Sequence, residues 1–319
     1  ALGLPKEKTE NYELLAQGEY NINYAFTHSV TGKKLLLRVN CGSQMHLEHQ
    51  IEYEAHALRL MEGSGRTPKV LYVDGGKKIL EHGVLVMEYL PGHAMDYHTE
   101  LMLAAPCLAD IHSVPIPESE EILIHPQNPL KAILEECEEM LKVYLESPLG
   151  DGEKKTYIRE LLNIGWKREA EIQLESGYQC CINTELNSTN LLINGEGKSN
   201  YLIDWEKPLF GNPAQDLGHF LAPTTTFWKT DVILTKEEME KFIDAYIKAV
   251  GNRFKTDMIR EHTHAFIPIT CLRGITWCAM AWVQYQQPDK LIFNESTFKK
   301  LNAYLDMDFL KNIRGYLEP

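Results

Sequence analysis

Three polar side chains that lie close together in the sequence could bind a divalent cation and move a proton. Glu185 is followed five residues later by Asn190, and Asp204 stands at the end of a predicted strand. Carboxylate and carboxamide oxygens are ligands for Mg²⁺, and a carboxylate can act as a general base. Each residue alone would be explained by the polarity of loops. Their order predicts a site for Mg²⁺ and a nucleotide, with Glu185 as the base and with Asn190 and Asp204 as metal ligands.

The elements expected to position these residues are a short hairpin and the helices around it. Residues 191–195 and 201–204 are two short runs, rich in Leu and Ile, joined by a polar link, a pattern typical of a β-hairpin. Beyond residue 92, most other long segments repeat apolar residues at helical spacing. Helices are predicted over residues 101–114, 130–144, 157–166, 242–250 and 272–285.

The first part of the chain has a different pattern. Short β-branched and aromatic runs separated by glycine-containing turns predict strands, whereas residues 51–61 show helical spacing. The strands are predicted over residues 12–16, 24–27, 35–39, 69–74 and 84–89. We therefore expect an α+β fold in two parts, with a sheet and one helix over residues 1–90 and a mainly helical part over residues 91–319.

The composition narrows the possible functions and locations. The 319 residues carry a formal net charge of −13, which would repel a nucleic-acid backbone. The most apolar stretch, residues 267–285, is interrupted by Pro268 and Arg273, so no membrane span is predicted. Residues 1–7 lack the order of a signal peptide, and the seven cysteines include no Cys-x-x-Cys pair. The cytoplasm, a reducing compartment, is the expected location.

The catalytic segment carries a recognisable order of residues. Residues 183–190 read Asn-Thr-Glu-Leu-Asn-Ser-Thr-Asn, and residues 211–217 read Gly-Asn-Pro-Ala-Gln-Asp-Leu. This order resembles the aminoglycoside phosphotransferase and choline kinase family, whose loop is His-x-Asp-x-x-x-x-Asn, followed by a strand, a metal-binding Asp and Gly-Asp-Pro-x-x-Asp-Leu. Asn190 and Asp204 match that pattern, whereas Asn183 stands at the His position and Glu185 at the Asp position. The resemblance therefore implies a divergent catalytic loop.

The resemblance extends to the N-terminal part of the chain. Arg38 stands at the third-strand position that usually holds a phosphate-binding Lys, and Glu54 matches the helix Glu that pairs with it. The alternative is that Arg38 is a charge on an edge strand and that Glu54 lies on a solvated helix face. In that case the cation of Arg38, within Leu-Leu-Leu-Arg-Val, would lie among apolar neighbours without a partner. The resemblance implies nucleotide-binding residues in three places. They are the phosphate-covering turn between the first two strands (Gly18, Tyr20 and Asn21), the ion pair (Arg38 and Glu54) and the hinge that joins the two lobes (Glu88, Tyr89 and Leu90).

The family resemblance implies a two-lobed protein-kinase-like fold. A small antiparallel-sheet N-lobe with one helix would cover the nucleotide, and a larger, mainly helical C-lobe would hold the catalytic loop and the acceptor pocket. The implied reaction transfers the γ-phosphate of ATP or GTP, with Mg²⁺, to a hydroxyl of an aminoglycoside, an amino-alcohol or a sugar-like acceptor. A pseudokinase that binds nucleotide as a regulatory module is the alternative, because two catalytic-loop positions differ. A helical scaffold without a nucleotide site is the third hypothesis, and it leaves the motif order unexplained.

Overall fold

The computed structural model describes residues 10–18, 20–77, 80–174, 177–287 and 294–318. The residues on which a signal peptide was excluded, and Glu19 within the phosphate-covering turn, lie outside these ranges. The chain forms two compact units. The first consists of Ala1–His125, Gln179–Phe210 and Asp244–Phe254, and the second of Pro126–Tyr178, Gly211–Ile243 and Lys255–Pro319. The lobe boundary after residue 90 stays a prediction, because the first unit contains the whole predicted N-lobe together with the catalytic segment.

A five-stranded antiparallel sheet forms the first part of the first unit, with the strand order β1-β2-β3-β5-β4. Its strands are Tyr12–Gln17 (β1), Asn21–Thr27 (β2), Lys34–Asn40 (β3), Val70–Asp74 (β4) and Gly83–Glu88 (β5). The helix Gln50–Met61 (α1) follows β3 in the chain. These are the five strands and the helix predicted from the sequence. Only β2 begins clearly earlier than predicted, because Asn21 and Asn23 hide its apolar alternation.

Alternation along the strands gives this sheet two different faces. The buried cluster on one face is Phe26, Leu35 and Val86. Arg38 belongs to the opposite face, because it is separated from Leu35 by an odd number of positions in β3. Helix α1 packs on that second face, where a Cβ at Gly83 would lie only 2.8 Å from Cγ2 of Ile51. The absence of a side chain at Gly83 lets α1 approach the strand beside Arg38.

The remaining elements of the first unit carry the catalytic segment. They include His93–Ala94 (β6), Leu101–His112 (α2), Cys180–Ile182 (β7), Leu191–Ile193 (β8) and Tyr201–Leu202 (β9). Strand β8 lies between β6 and β9 and is antiparallel to both, so the predicted hairpin is confirmed as β8-β9. Strands β6 and β7 were not predicted, because runs of two or three residues are too short to show a period. A further short strand, Leu209–Gly211 (β10), follows the catalytic segment.

The second unit is helical, and Ile259–Tyr285 (α8), the longest helix described in the chain, is largely buried. The sequence predicted only residues 272–285 of this helix. The helix continues through Pro268 because fully buried side chains on both sides, Phe266 and Ile269, hold the backbone by packing. By length and composition, α8 is the single helix in the described part of the chain that could span a membrane, and 72% of its most apolar window is buried within the protein.

Helix α8 packs against two helices of the same unit, Pro129–Glu146 (α3) and Pro213–Leu221 (α5). The other helices of the unit are Gly152–Glu171 (α4), Pro223–Lys229 (α6), Glu295–Tyr304 (α9) and Met307–Leu317 (α10), while Lys236–Val250 (α7) contributes residues to both units. Asn212 caps α5 by accepting a hydrogen bond from the amide of Ala214 at 2.9 Å. An Asp, which the resembling family has at this position, could accept the same hydrogen bond, so the cap is compatible with either residue.

Candidate active site

A buried ion pair between Arg38 and Glu54 links the sheet to α1. Nη1 of Arg38 donates a hydrogen bond to Oε1 of Glu54. Asn23 lies directly opposite Arg38 in the β2–β3 register, and its Oδ1 accepts a hydrogen bond from Nε of Arg38 at 3.0 Å. The two charged residues are only 6% and 1% exposed. A charge this deeply buried requires partners of this kind, so the ion pair is an integral part of the folded structure and not an incidental surface contact.

The same guanidinium also contacts the catalytic segment. Nη1 of Arg38 donates to Oδ1 of Asp204 at 3.0 Å. Burial opposes the charge on Arg38, but the carboxylates of Glu54 and Asp204 outweigh this effect and raise its pKa. Burial raises the pKa of Glu54, and the charge of Arg38 offsets that only in part. Because a guanidinium stays charged at every physiological pH, ionised Glu54 is the form that satisfies it.

Asn190 and Asp204 lie next to each other at the hairpin. The residues Ser188–Asn190 form a 3-10 turn directly before β8, and the carbonyl of Asn190 accepts a hydrogen bond from the amide of Ile203 at 2.9 Å. The carboxamide Nδ2 of Asn190 donates to the carbonyl of Glu185 at 3.1 Å. Within the described part of the chain, Oδ1 of Asn190 and Oδ2 of Asp204 have no hydrogen-bond partner. Each of the two residues therefore has a side-chain oxygen that could coordinate a cation.

Glu206 belongs to the site, although no role was predicted for it. Its carboxylate accepts a hydrogen bond from Nδ2 of Asn21. Burial, and then the negative charges of Asp204 and Glu185, raise the pKa of Glu206 to about 8. The signal that could have identified it is the order Asp-Trp-Glu, in which a fully buried Trp205 separates two acidic residues at the end of an apolar run.

The phosphate-covering turn is anchored to this carboxylate through Asn21. Asn21 is 5% exposed, and its Oδ1 accepts a hydrogen bond from Nδ2 of Asn40 at 2.9 Å. The backbone closes the turn, because the amide of Gly18 donates to the carbonyl of Asn21 at 2.9 Å. The carbonyl of Tyr20 accepts from the amide of Cys41 at 2.7 Å. The structure therefore brings the side chain of Asn21 into hydrogen-bond contact with the carboxylate of Glu206.

The predicted hinge residues lie at the end of β5, away from the acidic cluster. Arg38 pairs in register with Leu85, so Glu88 is three positions further along the strand, about 10 Å at the usual rise per residue. The amide of Glu88 donates to the carbonyl of Lys69 at 3.0 Å and is used by the sheet. The ammonium of Lys34 lies 4.1 Å from the ring centroid of Tyr89. The backbone of Tyr89 and Leu90, beyond the paired strand, is where the predicted contact to a base would have to be made.

A protein-family model places the chain among known proteins. Residues 11–261 match the model described as the phosphotransferase enzyme family. The chain belongs to this family. No sequence among curated proteins matches the chain at a significant level. The family predicted from the divergent catalytic loop is thereby confirmed, although the substrate is not identified.

Solved structures with the same fold are distant in sequence from this family member. The choline kinase of Cryptosporidium parvum is 12% identical, with a TM-score of 0.69 and coverage of 98% of this chain and 91% of that chain. The ethanolamine kinase of Plasmodium vivax is 14% identical, with a TM-score of 0.66 and coverage of 98% and 86%. A spectinomycin phosphotransferase, solved with ADP and spectinomycin, is 15% identical, with a TM-score of 0.63 and coverage of 98% and 93%. At these identities the likeness shows the fold, and it confirms the predicted kinase-like architecture.

The donor set of this phosphotransferase fits Mg²⁺ better than a metal held by protein ligands alone. Across the described ranges, no three His, Cys, Asp or Glu side chains converge as a metal-binding group. Mg²⁺ in phosphoryl-transfer sites is usually held by one or two carboxylates together with substrate phosphates and waters. Asn190 and Asp204 offer that kind of partial shell. Burial, and then the charges of Asp204 and Glu185, raise the pKa of Glu206 despite the nearby Arg38, and an added cation would offset the effect of these acidic neighbours.

Proposed function

We propose that the protein is a small-molecule kinase that transfers the γ-phosphoryl group of ATP or GTP to a hydroxyl group, with Mg²⁺ bound at Asn190 and Asp204. The observation that carries this proposal is the three-way contact of Arg38 with Glu54 and Asp204. It joins the sheet, α1 and the catalytic segment, which are the parts that a kinase-like site needs for phosphate and metal. A structural ion pair would have no need of the partly exposed Asp204.

The roles of the side chains follow from their positions. Glu185 accepts the proton of the acceptor hydroxyl as its oxygen attacks the γ-phosphorus and the bond to the β–γ bridging oxygen breaks. The products are a phosphate ester and a nucleoside diphosphate. Arg38 neutralises charge on the phosphates, and Glu54 keeps the guanidinium in place. Asn190 and Asp204 would hold Mg²⁺, which would supply positive charge against the negative charge that develops during transfer. Asn21 holds the covering turn above this position through Glu206.

A cationic acceptor with a hydroxyl group is the class that the charge favours. The chain has a formal net charge of −13, and a field of this sign concentrates cations. Several solved structures with the same fold are described as kinases of choline, ethanolamine and aminopropanol or as a spectinomycin phosphotransferase. We therefore expect an amino-alcohol or an aminoglycoside ahead of a neutral sugar.

Thermal melts test the nucleotide site before any acceptor is known. A ligand that binds only the folded protein stabilises it by about 2.7 kcal/mol at a hundredfold excess over its dissociation constant. ATP or GTP with Mg²⁺ should therefore raise the melting temperature. Asp204→Ala should weaken the Mg²⁺-dependent part of the rise more than Asn190→Ala, because a carboxylate binds Mg²⁺ more strongly than a carboxamide. No rise with either nucleotide would refute the nucleotide site.

Turnover separates the kinase from the pseudokinase, which nucleotide binding does not. The departure that favours a pseudokinase is Glu185 at the Asp position, since a displacement of about 1 Å can lower a rate a hundredfold. Release of ADP or GDP should be measured against a panel of amino-alcohols, aminoglycosides and neutral sugars. Acceptor-dependent release supports the kinase. Nucleotide binding without release against any acceptor supports the regulatory module.

A further inference from the structure

The carboxamide of Asn183 connects the two candidate catalytic carboxylate residues through their backbones. Asn183 is fully buried, follows β7 directly, and uses both ends of its side chain. Its Nδ2 donates a hydrogen bond to the carbonyl of Asp204 at 2.7 Å. Its Oδ1 accepts a hydrogen bond from the amide of Glu185 at 3.1 Å. One rigid planar group therefore spans from the proposed proton acceptor to the proposed metal ligand.

The backbone that these bonds hold is in an unusual conformation. Asp204 has φ of 66° and Thr184 has φ of 65°, both in the left-handed region that favours glycine. A β-branched residue such as Thr is especially unfavourable there. The hydroxyl of Thr184 donates to the carbonyl of Lys207 at 2.6 Å. Residues in such conformations persist only where surrounding contacts hold them, and the side chains of Asn183 and Thr184 supply two contacts that cross between the two segments.

We propose that Asn183 is a positioning residue that fixes Asp204 relative to Glu185, and thereby sets the Mg²⁺ affinity of the site. The effect on Mg²⁺ affinity rests on the proposed function, whereas the two hydrogen bonds of Asn183 do not depend on it. An Asn suits the role because it donates and accepts at once. A His, which the resembling family has at this position, can donate a ring N–H to the Asp204 carbonyl but offers no second group of the same geometry to the Glu185 amide.

The two hydrogen bonds can be tested separately with two substitutions. Asn183→Leu removes both bonds at nearly constant volume, whereas Asn183→His retains a donor towards Asp204. The matched control is Asn200→Leu, because Asn200 is 6% exposed, accepts from the amide of Asn194 at 2.9 Å and donates to a backbone carbonyl. The control therefore loses the same kinds of bond in the β8–β9 hairpin without touching either carboxylate residue.

Two measurements are made on the full chain. The first is the Mg²⁺ concentration that gives half of the stabilisation by ATP in a thermal melt. Asn183→Leu should raise it about tenfold, the size expected when a hydrogen bond that holds a ligand group is lost, while Asn200→Leu should change it less than about twofold. The second is hydrogen exchange at the Glu185 amide, which both substitutions at position 183 should accelerate. Asn183→His should restore the Mg²⁺ midpoint but not the protection of that amide.

The outcomes are decisive in either direction. Equal Mg²⁺ midpoints for Asn183→Leu and Asn200→Leu would overturn the inference, as would an unchanged exchange rate at the Glu185 amide. If Asn183→Leu does not fold, Asn183→His decides alone, because it must accelerate that exchange while it keeps the native midpoint. If the native protein shows no stabilisation by nucleotide and Mg²⁺, the proposed function fails, and the exchange rate still decides whether Asn183 holds the loop.

Discussion

Replacing Glu206 by Gln should stabilise the protein at neutral pH in the absence of metal and nucleotide. The carboxylate accepts a hydrogen bond from Asn21, and the carbonyl oxygen of a Gln can accept the same bond. Burial, with the charges of Asp204 and Glu185 next in importance, raises the pKa of Glu206 from 4.5 to about 8. The charged form is therefore unfavourable in the folded protein, and Glu206→Gln removes that charge.

The sign and size of the effect follow from proton linkage. Because the pKa of Glu206 is higher in the folded protein than in the unfolded chain, protonation of Glu206 increases the free energy of unfolding. This contribution is fully present below about pH 4.5 and is lost as the pH rises through about 8. Between pH 4.5 and pH 7, a range of two and a half pH units, the raised pKa lowers the free energy of unfolding by roughly 3 kcal/mol. Because Glu206 is only partly buried, we expect solvent to reduce this to about 2 kcal/mol.

Urea unfolding at two pH values measures this effect. Glu206→Gln and the native chain should have similar free energies of unfolding at about pH 5, whereas the variant should be about 2 kcal/mol more stable at about pH 7.5. Glu120→Gln is the control of opposite sign. Burial opposes the charge of Glu120, but hydrogen bonds from the Leu123 amide and from His56 lower its pKa. The Glu120 variant should therefore be destabilised at the higher pH.

Two results would refute this reasoning. If Glu206→Gln is no more stable than the native chain at the higher pH, the carboxylate is not crowded by its acidic neighbours. If it is more stable by the same amount at both pH values, the gain comes from packing or hydrogen bonding, because a charge effect must follow the titration of Glu206. A pH-dependent gain matched by an equal gain in Glu120→Gln would point to the net charge of the whole protein instead.

Three further predictions follow from single contacts. Glu185→Gln should lower kcat by roughly 10²-fold with nucleotide affinity little changed, and equal initial rates in the two enzymes would remove Glu185 from the mechanism. Glu54→Gln leaves the buried guanidinium with the partly exposed Asp204 as its remaining paired carboxylate and should lower the free energy of unfolding by about 3 kcal/mol, whereas a loss below about 1 kcal/mol in urea would match a surface pair. Gly218→Ala should lower the free energy of unfolding by about 1–3 kcal/mol, because the added Cβ would lie 2.4 Å from Cβ of Phe266. Gly152→Ala is the control, since its added Cβ would have nothing within 4 Å, and it should show no such loss in thermal melts.

The fold could be predicted where a sequence pattern is local and long enough to repeat. Strands β1 to β5 and helix α1 alternate or repeat over at least five residues, and the β8–β9 hairpin has apolar runs on both sides of a polar link. Strand β7 and helices α5 and α6 have no such signal, because they are short or apolar on all sides. Helix α8 was predicted too short for a different reason. Its packing outweighs the helix-breaking tendency of Pro268, and packing cannot be read from the residues around a proline.

The candidate site was predictable in its residue types but not in its partners. Asp204 contacts Arg38 across 166 positions, and Glu206 contacts Asn21 across 185 positions. A local repeat of apolar residues carries no information about contacts between residues so far apart in the sequence. The resemblance to a known family supplied Asp204 and Arg38, whereas Glu206 has no place in the family's pattern and was missed. Its raised pKa arises from three-dimensional crowding, which only the structure reveals.

Two of the departures from the family pattern have neighbours that accommodate them. Arg38 replaces a Lys, and Asn23 lies opposite it in the register and accepts a hydrogen bond from Nε, an atom that a Lys does not possess. Asn183 replaces a His, and both ends of its carboxamide are hydrogen-bonded. A site that has lost its function would be free to accumulate polar changes without partners, which are unfavourable when buried. The matched partners at Arg38 and Asn183 therefore favour an altered but working catalytic loop, and they make Glu185, the third departure, the residue on which turnover measurements should concentrate.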